Sequence, residues 1–251
     1  MFPVGDSLRT RTTPYVNWTL IAVSVLVFLY TVGLSTRPDE IIRGFTLSET
    51  DRFFLDWGFV PACVGKYFGA SVDAGAVRLS VVCPSGDRVL IQPFTAMFVH
   101  AGWAHILGNM LFLLIFGDNV EDAMGHGRYL IFYFLCGLAA VAAQTYFALD
   151  TTVPAVGASG AIAGVLAAYL IMFPTAMIQV IFLPLFFLPL FVPAIVLIGM
   201  WFIAQVFSGL ATLGTAAAGT GVAWWAHVGG FIAGALLIGL FRRKRSPRPS
   251  V

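Results

Sequence analysis

The chain carries little charge, and this scarcity already limits what it can be. Only 10% of its 251 residues are Asp, Glu, Lys or Arg, whereas 59% are hydrophobic and the mean hydropathy is +0.90. A water-soluble globule of this length could not accommodate such a composition, which therefore indicates a polytopic membrane protein in a lipid bilayer. The formal net charge of +2 gives no indication of nucleic-acid binding.

Histidine and cysteine are also scarce, with four and three residues. They lack the spacing of a metal site such as H-E-x-x-H, so we predict neither a metal nor another cofactor. Cys63 and Cys83 lie in one extramembrane segment, where oxidising conditions would permit a disulfide, and two unpaired thiols are the alternative. Cys136 lies in an apolar run and is interpreted as a small packing residue.

Long apolar runs recur along the chain, and a bilayer core requires about 20 such residues per helix. We interpret six runs as membrane spans: 15–34, a run ending near Gly117, 129–149, 159–173, the second half of 176–210, and 224–241. Three prolines interrupt the first half of 176–210, so the spanning helix belongs in the second half. The expected fold class is an all-α polytopic membrane protein with a long loop after its first span.

Basic residues predict the orientation of these spans. Arg9 and Arg11 precede the first span and a basic tail at 242–251 follows the last, so both termini are expected in the cytoplasm. The chain then divides into a tail at 1–14, a membrane domain at 15–241 and the tail at 242–251. Within the domain, 35–92 forms an outer loop, here called L1, with short amphipathic elements at the interface. No organelle transit peptide is evident, which favours a bacterial plasma membrane.

Ser159 is the candidate nucleophile. It lies in Gly157-Ala158-Ser159-Gly160 at the start of the fourth span, where backbone N–H groups lack intrahelical partners and could bind an oxyanion. The flanking Gly157 and Gly160 leave room for a substrate backbone to approach. The alternative is that Ser159 only caps its helix.

His227 is the candidate general base, because a neutral imidazole can accept a serine proton near neutral pH. Gly160 and Gly164 in the fourth span, and Gly230 and Gly234 in the sixth, form two G-x-x-x-G pairs that let membrane helices pack closely. If these faces meet, a hydrogen bond between the serine and His227 is within reach. A histidine bonded to a neighbouring helix, and glycines that only pack helices, are the alternatives.

The second span contributes His105 and Asn109, four residues apart and hence on one helix face. Such donors could hold an oxyanion beside the serine, and His100 is near enough to join them. A polar clamp between helices is the alternative. His126 is placed in a cytoplasmic turn at 118–128 and interpreted as solvated. Since the fourth and sixth spans contain no Asp or Glu, we expect a Ser–His pair without a carboxylate.

These motifs, in this order on the second, fourth and sixth spans, resemble the rhomboid family of intramembrane serine proteases over about residues 15–241. The resemblance implies a six-helix bundle with Ser159 as nucleophile and His227 as base. The oxyanion hole would be formed by His105, Asn109 and the Ser159 amide.

The resemblance also implies surroundings for the site. L1 would lie half in the membrane, residues 210–222 would cap the site, and substrate helices would enter beside Trp201 and Phe202. Some members carry an aromatic residue four after the serine, which stacks on the histidine. Here that position is Ala163, so Trp224 or Trp225 is the expected support of the ring.

The predicted activity is hydrolysis of peptide bonds in or beside transmembrane helices of membrane-protein substrates. A helix must unwind before its backbone can be attacked, and the glycine-rich stretch 214–221 could act as a lid. Two other classes stay open: an inactive rhomboid-like protein that binds clients, and a small transporter or channel. The chain retains both Ser159 and His227, and it shows neither inverted repeats nor charge pairs in its spans.

Overall fold

The computed structural model describes residues 2–37, 40–42, 44–83, 86–182, 186–213 and 222–243. In chain order the helices are α1 Tyr15–Val32, α2 Glu49–Trp57, α3 Pro61–Tyr67, α4 Ala76–Val82, α5 Gln92–Thr95, α6 Trp103–Phe112, α7 Asp118–Met124, α8 His126–Phe147, α9 Ser159–Met172, α10 Ala194–Thr212 and α11 Trp224–Phe241. The strands are β1 Phe2–Asp6, β2 Glu40–Ile42, β3 Phe45–Leu47, β4 Met177–Phe182 and β5 Phe186–Pro193.

The helical polytopic class is confirmed. By length and composition, five helical stretches in the described parts of the chain can cross a membrane: Tyr15–Val32, Trp103–Met124, His126–Phe147, Ala194–Thr212 and Trp224–Phe241. The fifth predicted span is helical in its second half, as its prolines indicated. The fourth, α9, has 14 residues and measures about 21 Å at about 1.5 Å per residue, less than a bilayer core. Six complete spans therefore stay a prediction.

Helix α9 lies in the middle of the bundle, where its length need not match the lipid. Every residue from Gly160 to Tyr169 is buried, and the helix packs against α8 and α11. Because other helices surround it, α9 need not be as long as a bilayer core, and a polar cavity can lie beyond its amino-terminal end.

The second span extends further than its sequence indicated. It was expected to end near Gly117, but a π-helical turn at Leu113–Gly117 joins α6 to α7, and the helix ends at Met124. A π turn disturbs the regular backbone bonding of a helix. Here Asn17 of α1 donates its side-chain N–H to the Leu113 carbonyl at 2.8 Å, so the polar side chain of one helix stabilises the irregular turn of the other.

The interpretation of 118–128 as a turn is wrong, although the His126 side chain is 44% exposed. Most of it is helix α7, and the fully buried Glu121 accepts hydrogen bonds from the backbone N–H groups of Val16 at 3.1 Å and Asn17 at 2.7 Å. These donors lie in the first turn of α1 and have no partner within their own helix. His126 contacts the same carboxylate through Nδ1, so it belongs to the cap of α1.

The structure adds two small antiparallel sheets to the expected helices. Strands β1, β4 and β5 pair in that order, and β2 pairs with β3. The first half of the apolar run 176–210 thus forms a hairpin, with the proline-containing β5 at an edge, where a missing N–H is tolerated. Part of the predicted tail 1–14 is strand β1, whose Asp6 accepts hydrogen bonds from Asn119 and Tyr169 of the bundle.

L1 is folded and is attached to the segment that precedes Ser159. A disulfide between Cys63 and Cys83 joins α3 to the residue after α4, around a small apolar core. Phe59 forms a backbone bridge with Ala155, and the Ala62 N–H donates to the Thr151 carbonyl at 3.1 Å. The loop therefore braces the chain that leads into α9.

Candidate active site

Ser159 and His227 are hydrogen-bonded to each other. The serine is the first residue of α9, His227 lies in the first turn of α11, and His227 Nε2 is 2.8 Å from Ser159 Oγ. This distance allows the imidazole to accept the hydroxyl proton directly. The pair is partly buried, at the end of the bundle that faces L1.

The short distance between Ser159 and His227 depends on glycine residues in α9 and α11. A Cβ atom at Gly230 would overlap the carbonyl oxygen of Gly160, and one at Gly234 would overlap backbone atoms of Gly164. The two G-x-x-x-G pairs thus face each other, and α9 and α11 touch backbone to backbone. Side chains at these positions would hold the helices apart and lengthen the distance between the serine and His227.

His105 and Asn109, which are predicted to bind the oxyanion, lie in the wall of the cavity that contains Ser159 and His227. Gly157 has φ +118°, a conformation that favours glycine, and a Cβ built there would lie 2.6 Å from His105 Nε2 and 3.5 Å from Asn109 Nδ2. His105, Asn109, Ser159 and His227 line one cavity of about 570 Å³. Both donor side chains therefore open into the space beside the serine hydroxyl.

His100 lies behind this wall. It is fully buried, its ring centroid is 5.2 Å from that of His105, and its Nδ1 is 3.2 Å from the Phe98 carbonyl oxygen. Burial, together with the neighbouring His105, lowers the pKa of His100 to about 4. A neutral His100 therefore supports His105 at neutral pH, and its contact is with that ring rather than with the serine.

Gln205 of α10 is the site residue that the sequence analysis missed. Its Oε1 is 2.7 Å from His227 Nδ1, while its Nε2 donates to the Trp201 carbonyl at 3.2 Å. A buried amide in a membrane helix is costly unless it is paired, and that cost is the signal that could have indicated it. Its partner could not be read from the sequence, because 22 residues separate it from His227.

Two aromatic rings lie beside the imidazole, and neither is stacked on it. Trp201 lies 5.8 Å from the His227 ring, and Trp224 meets it edge-on at 6.2 Å. Trp225, the other suggested support, stacks on Phe147 at 3.9 Å instead. Ala163, four residues after the serine, is fully buried in the helix core.

Two further expectations concern metal ions and a lid. Over the residues described, no group of three or more His, Cys, Asp or Glu side chains could hold a metal ion. The glycine-rich stretch 214–221, proposed as a lid, lies outside the described residues.

The fold and the site together define a polytopic helical membrane protein with a serine–histidine pair in its interior. The profile of the Rhomboid domain matches residues 87–244, which include both residues of the pair. The chain therefore belongs to the rhomboid family, and the resemblance drawn from its motifs is confirmed. This family consists typically of serine intramembrane proteases.

Curated relatives carry the same family name. The chain is 26% identical to RHOMBOID-like protein 6, mitochondrial, of Arabidopsis thaliana, over 64% of its own length and 52% of the relative's. It is 29% identical to RHOMBOID-like protein 2 of the same plant, over 63% and 50%. Rhomboid protease GluP of Bacillus subtilis (strain 168) is 30% identical over 45% of this chain and 23% of that protein. The chain spans about half the length of the two plant relatives.

Proposed function

We propose that this protein is an intramembrane serine endopeptidase that cleaves membrane-protein substrates in or beside their transmembrane helices. The observation that carries the proposal is the 2.8 Å contact between His227 Nε2 and Ser159 Oγ, inside a cavity that also holds two polar side chains. A nucleophile within hydrogen-bond reach of a base, with donors beside it, is the arrangement that acyl transfer requires.

In the proposed reaction, Ser159 Oγ attacks the carbonyl carbon of the scissile peptide bond while His227 Nε2 accepts the hydroxyl proton. The oxygen of the tetrahedral intermediate becomes negative and is stabilised by the Ser159 N–H and the side chains of His105 and Asn109. The intermediate collapses as the protonated His227 donates its proton to the leaving amine. Water then attacks the acyl-enzyme by the same steps and releases the new carboxyl end and the free serine.

A substrate helix would enter beside α10, as the family resemblance suggests. This helix presents exposed apolar side chains to the lipid, among them Ile203 and Phe207. Phe202 stacks on Phe231 of α11 with ring centroids 4.0 Å apart. Access at this point would therefore require α10 to move away from α11. The substrate must also unwind, because the carbonyl groups of an intact helix are already hydrogen-bonded.

We further propose that both termini are cytoplasmic and that the cavity opens to the other side, where the disulfide of L1 would be stable. A bacterial plasma membrane is the proposed location. Of the relatives named above, two come from a plant and one from a bacterium, so this proposal rests on the sequence and not on the relatives.

The direct test is cleavage of a fluorescently tagged transmembrane substrate by the purified protein in proteoliposomes. We expect turnover by the parent protein and none above background for Ser159→Ala with its folding intact. Turnover that survives Ser159→Ala would contradict the assignment of the nucleophile. A folded parent that binds several substrates and cleaves none would indicate a client-binding protein, and solute flux without cleavage would indicate a transporter.

Asn109→Ala is expected to lower kcat about 100-fold with little change in KM, because the amide donor would act mainly in the transition state. Among the described residues, the buried Asn109 Nδ2 has no hydrogen-bond partner and is free to bind an oxyanion. Steady-state cleavage kinetics in proteoliposomes measure both constants.

The matched control is Asn119→Ala. Asn119 is equally buried, but its amide donates to Asp6 at 3.0 Å, away from the cavity. It should lower stability and leave kcat near the parent value. Equal losses of kcat in the two variants would contradict the oxyanion role of Asn109.

A further inference from the structure

A catalytic histidine that lacks a carboxylate partner needs another group to determine which of its two ring nitrogens carries the proton. A neutral imidazole has two tautomers, and only the one with its proton on Nδ1 presents a lone pair at Nε2. No Asp or Glu occurs in the sequences of α9, α10 or α11. The group that contacts His227 Nδ1 is the Gln205 side chain, with its Oε1 at 2.7 Å.

The orientation of the Gln205 amide follows from its second contact. Its Nε2 lies 3.2 Å from the carbonyl oxygen of Trp201, one helical turn earlier. That oxygen can only accept a hydrogen bond, so the amide nitrogen must face it. With the amide rotated by half a turn, two acceptor oxygens would meet in a buried site. The amide oxygen therefore faces His227.

The tautomer of His227 follows in turn. Because the Gln205 oxygen can only accept, His227 Nδ1 must carry a proton and donate it. The lone pair of the neutral imidazole is then on Nε2, which lies 2.8 Å from Ser159 Oγ. One amide thus fixes both the direction of the ring and the nitrogen that can act as base.

A neutral partner also suits this position in the bundle. Gln205 is 6% exposed, in a helix whose other face presents exposed apolar side chains, and an ionised carboxylate would be costly there. The bond from Nδ1 becomes charge-assisted, and therefore stronger, when His227 takes the serine proton. The Gln205 amide thus stabilises the protonated His227 without the cost of burying a carboxylate charge.

We propose that Gln205 is a positioning residue that holds His227 in the Nδ1-protonated tautomer, so that Nε2 is the nitrogen that accepts the proton of Ser159. The inference rests on the proposed function. The hydrogen bond with Gln205 of α10 takes the place of the aromatic support that Ala163 cannot supply.

The first measurement is the tautomer itself, by ¹⁵N NMR of protein labelled at histidine, where four histidines keep the spectrum simple. We expect His227 to carry its proton on Nδ1 in the parent protein. In Gln205→Met, which has similar length but no strong acceptor, the Nε2-protonated form should appear. A parent with the proton on Nε2, or an unchanged tautomer in Gln205→Met, would overturn the proposal. This result does not depend on activity, so it is separable from failure of the protease assignment.

Kinetics give the second measurement. Gln205→Met should lower kcat 10- to 100-fold at nearly constant KM, and the acidic limb of its pH profile should move to lower pH, because the imidazolium loses an acceptor. Gln205→Glu restores an acceptor oxygen, so it should recover most of that loss and return the acidic limb to a higher pH than in Gln205→Met. Equal losses in both variants, with no movement of either limb, would indicate a merely structural role and overturn the proposal.

Gln144→Met is the matched control. Gln144 is a buried amide on α8, 7% exposed, and its Oε1 accepts from the backbone N–H of Ala226 at 3.2 Å, one residue before His227. The change should lower the melting temperature and leave the His227 tautomer and the pH limb in place. A tautomer change in Gln144→Met equal to that in Gln205→Met would also count against a specific role of Gln205.

Discussion

The double variant Ser159→Ala/His227→Ala is expected to cleave a transmembrane substrate no more slowly than either single variant. Each single change should lower kcat by more than about 1000-fold, because the proposed nucleophile and base act as one unit. Once the hydroxyl is lost, the imidazole has no proton to accept, and the second change removes nothing further. Single-turnover cleavage by the four proteins in proteoliposomes measures the effect.

His126→Ala is the control for this experiment. His126 is also partly exposed and also bonded to another helix, but its partner is Glu121 of α7. Loss of that contact should lower the stability of the α1 cap and leave kcat near the parent value. If the losses of the two dyad changes added in free energy, Ser159 and His227 would act independently, which would contradict the proposed mechanism.

The candidate site residues that could be predicted are those whose chemistry and spacing are visible within one short segment of the sequence. Ser159 and His227 lie at helix starts, and each is followed by a pair of glycines at a spacing of four. Such spacing limits how two helices can pack, so it placed the two groups near each other without knowledge of the fold. His105 and Asn109 were found in the same way, since four residues bring side chains to one helix face.

The features that were missed depend on contacts between distant segments. In the sequence, Gln205 is surrounded by apolar residues. The side chain that it contacts depends on the angle at which α10 crosses α11, and this angle could not be predicted. Apart from Gln179, the run 176–193 is apolar, a pattern that fits a buried strand as well as a helix. The pairing of β4 with β1 decides between the two for β4. The π turn at Leu113–Gly117 likewise depends on Asn17 from another helix.

Gly230→Ala is expected to be the most damaging change of a single methyl group in the bundle. The new Cβ would overlap the carbonyl oxygen of Gly160, and backbone cannot move aside as the end of a flexible side chain can. Helices α9 and α11 must separate, with a cost of about 1–3 kcal/mol or more for overpacking. Since a displacement of about 1 Å can lower a rate about 100-fold, kcat should fall together with the melting temperature.

Gly239→Ala, on the same helix, is the control that separates steric overlap from the change in helix propensity. A Cβ at Gly239 would meet nothing within 4 Å, and alanine favours a helix by about 1 kcal/mol over glycine. Gly239→Ala should therefore unfold at the parent temperature or slightly above it, with unchanged kcat. Thermal unfolding and cleavage of the two variants measure both effects. If Gly230→Ala behaved like Gly239→Ala, the backbone contact between α9 and α11 would not be what holds Ser159 against His227.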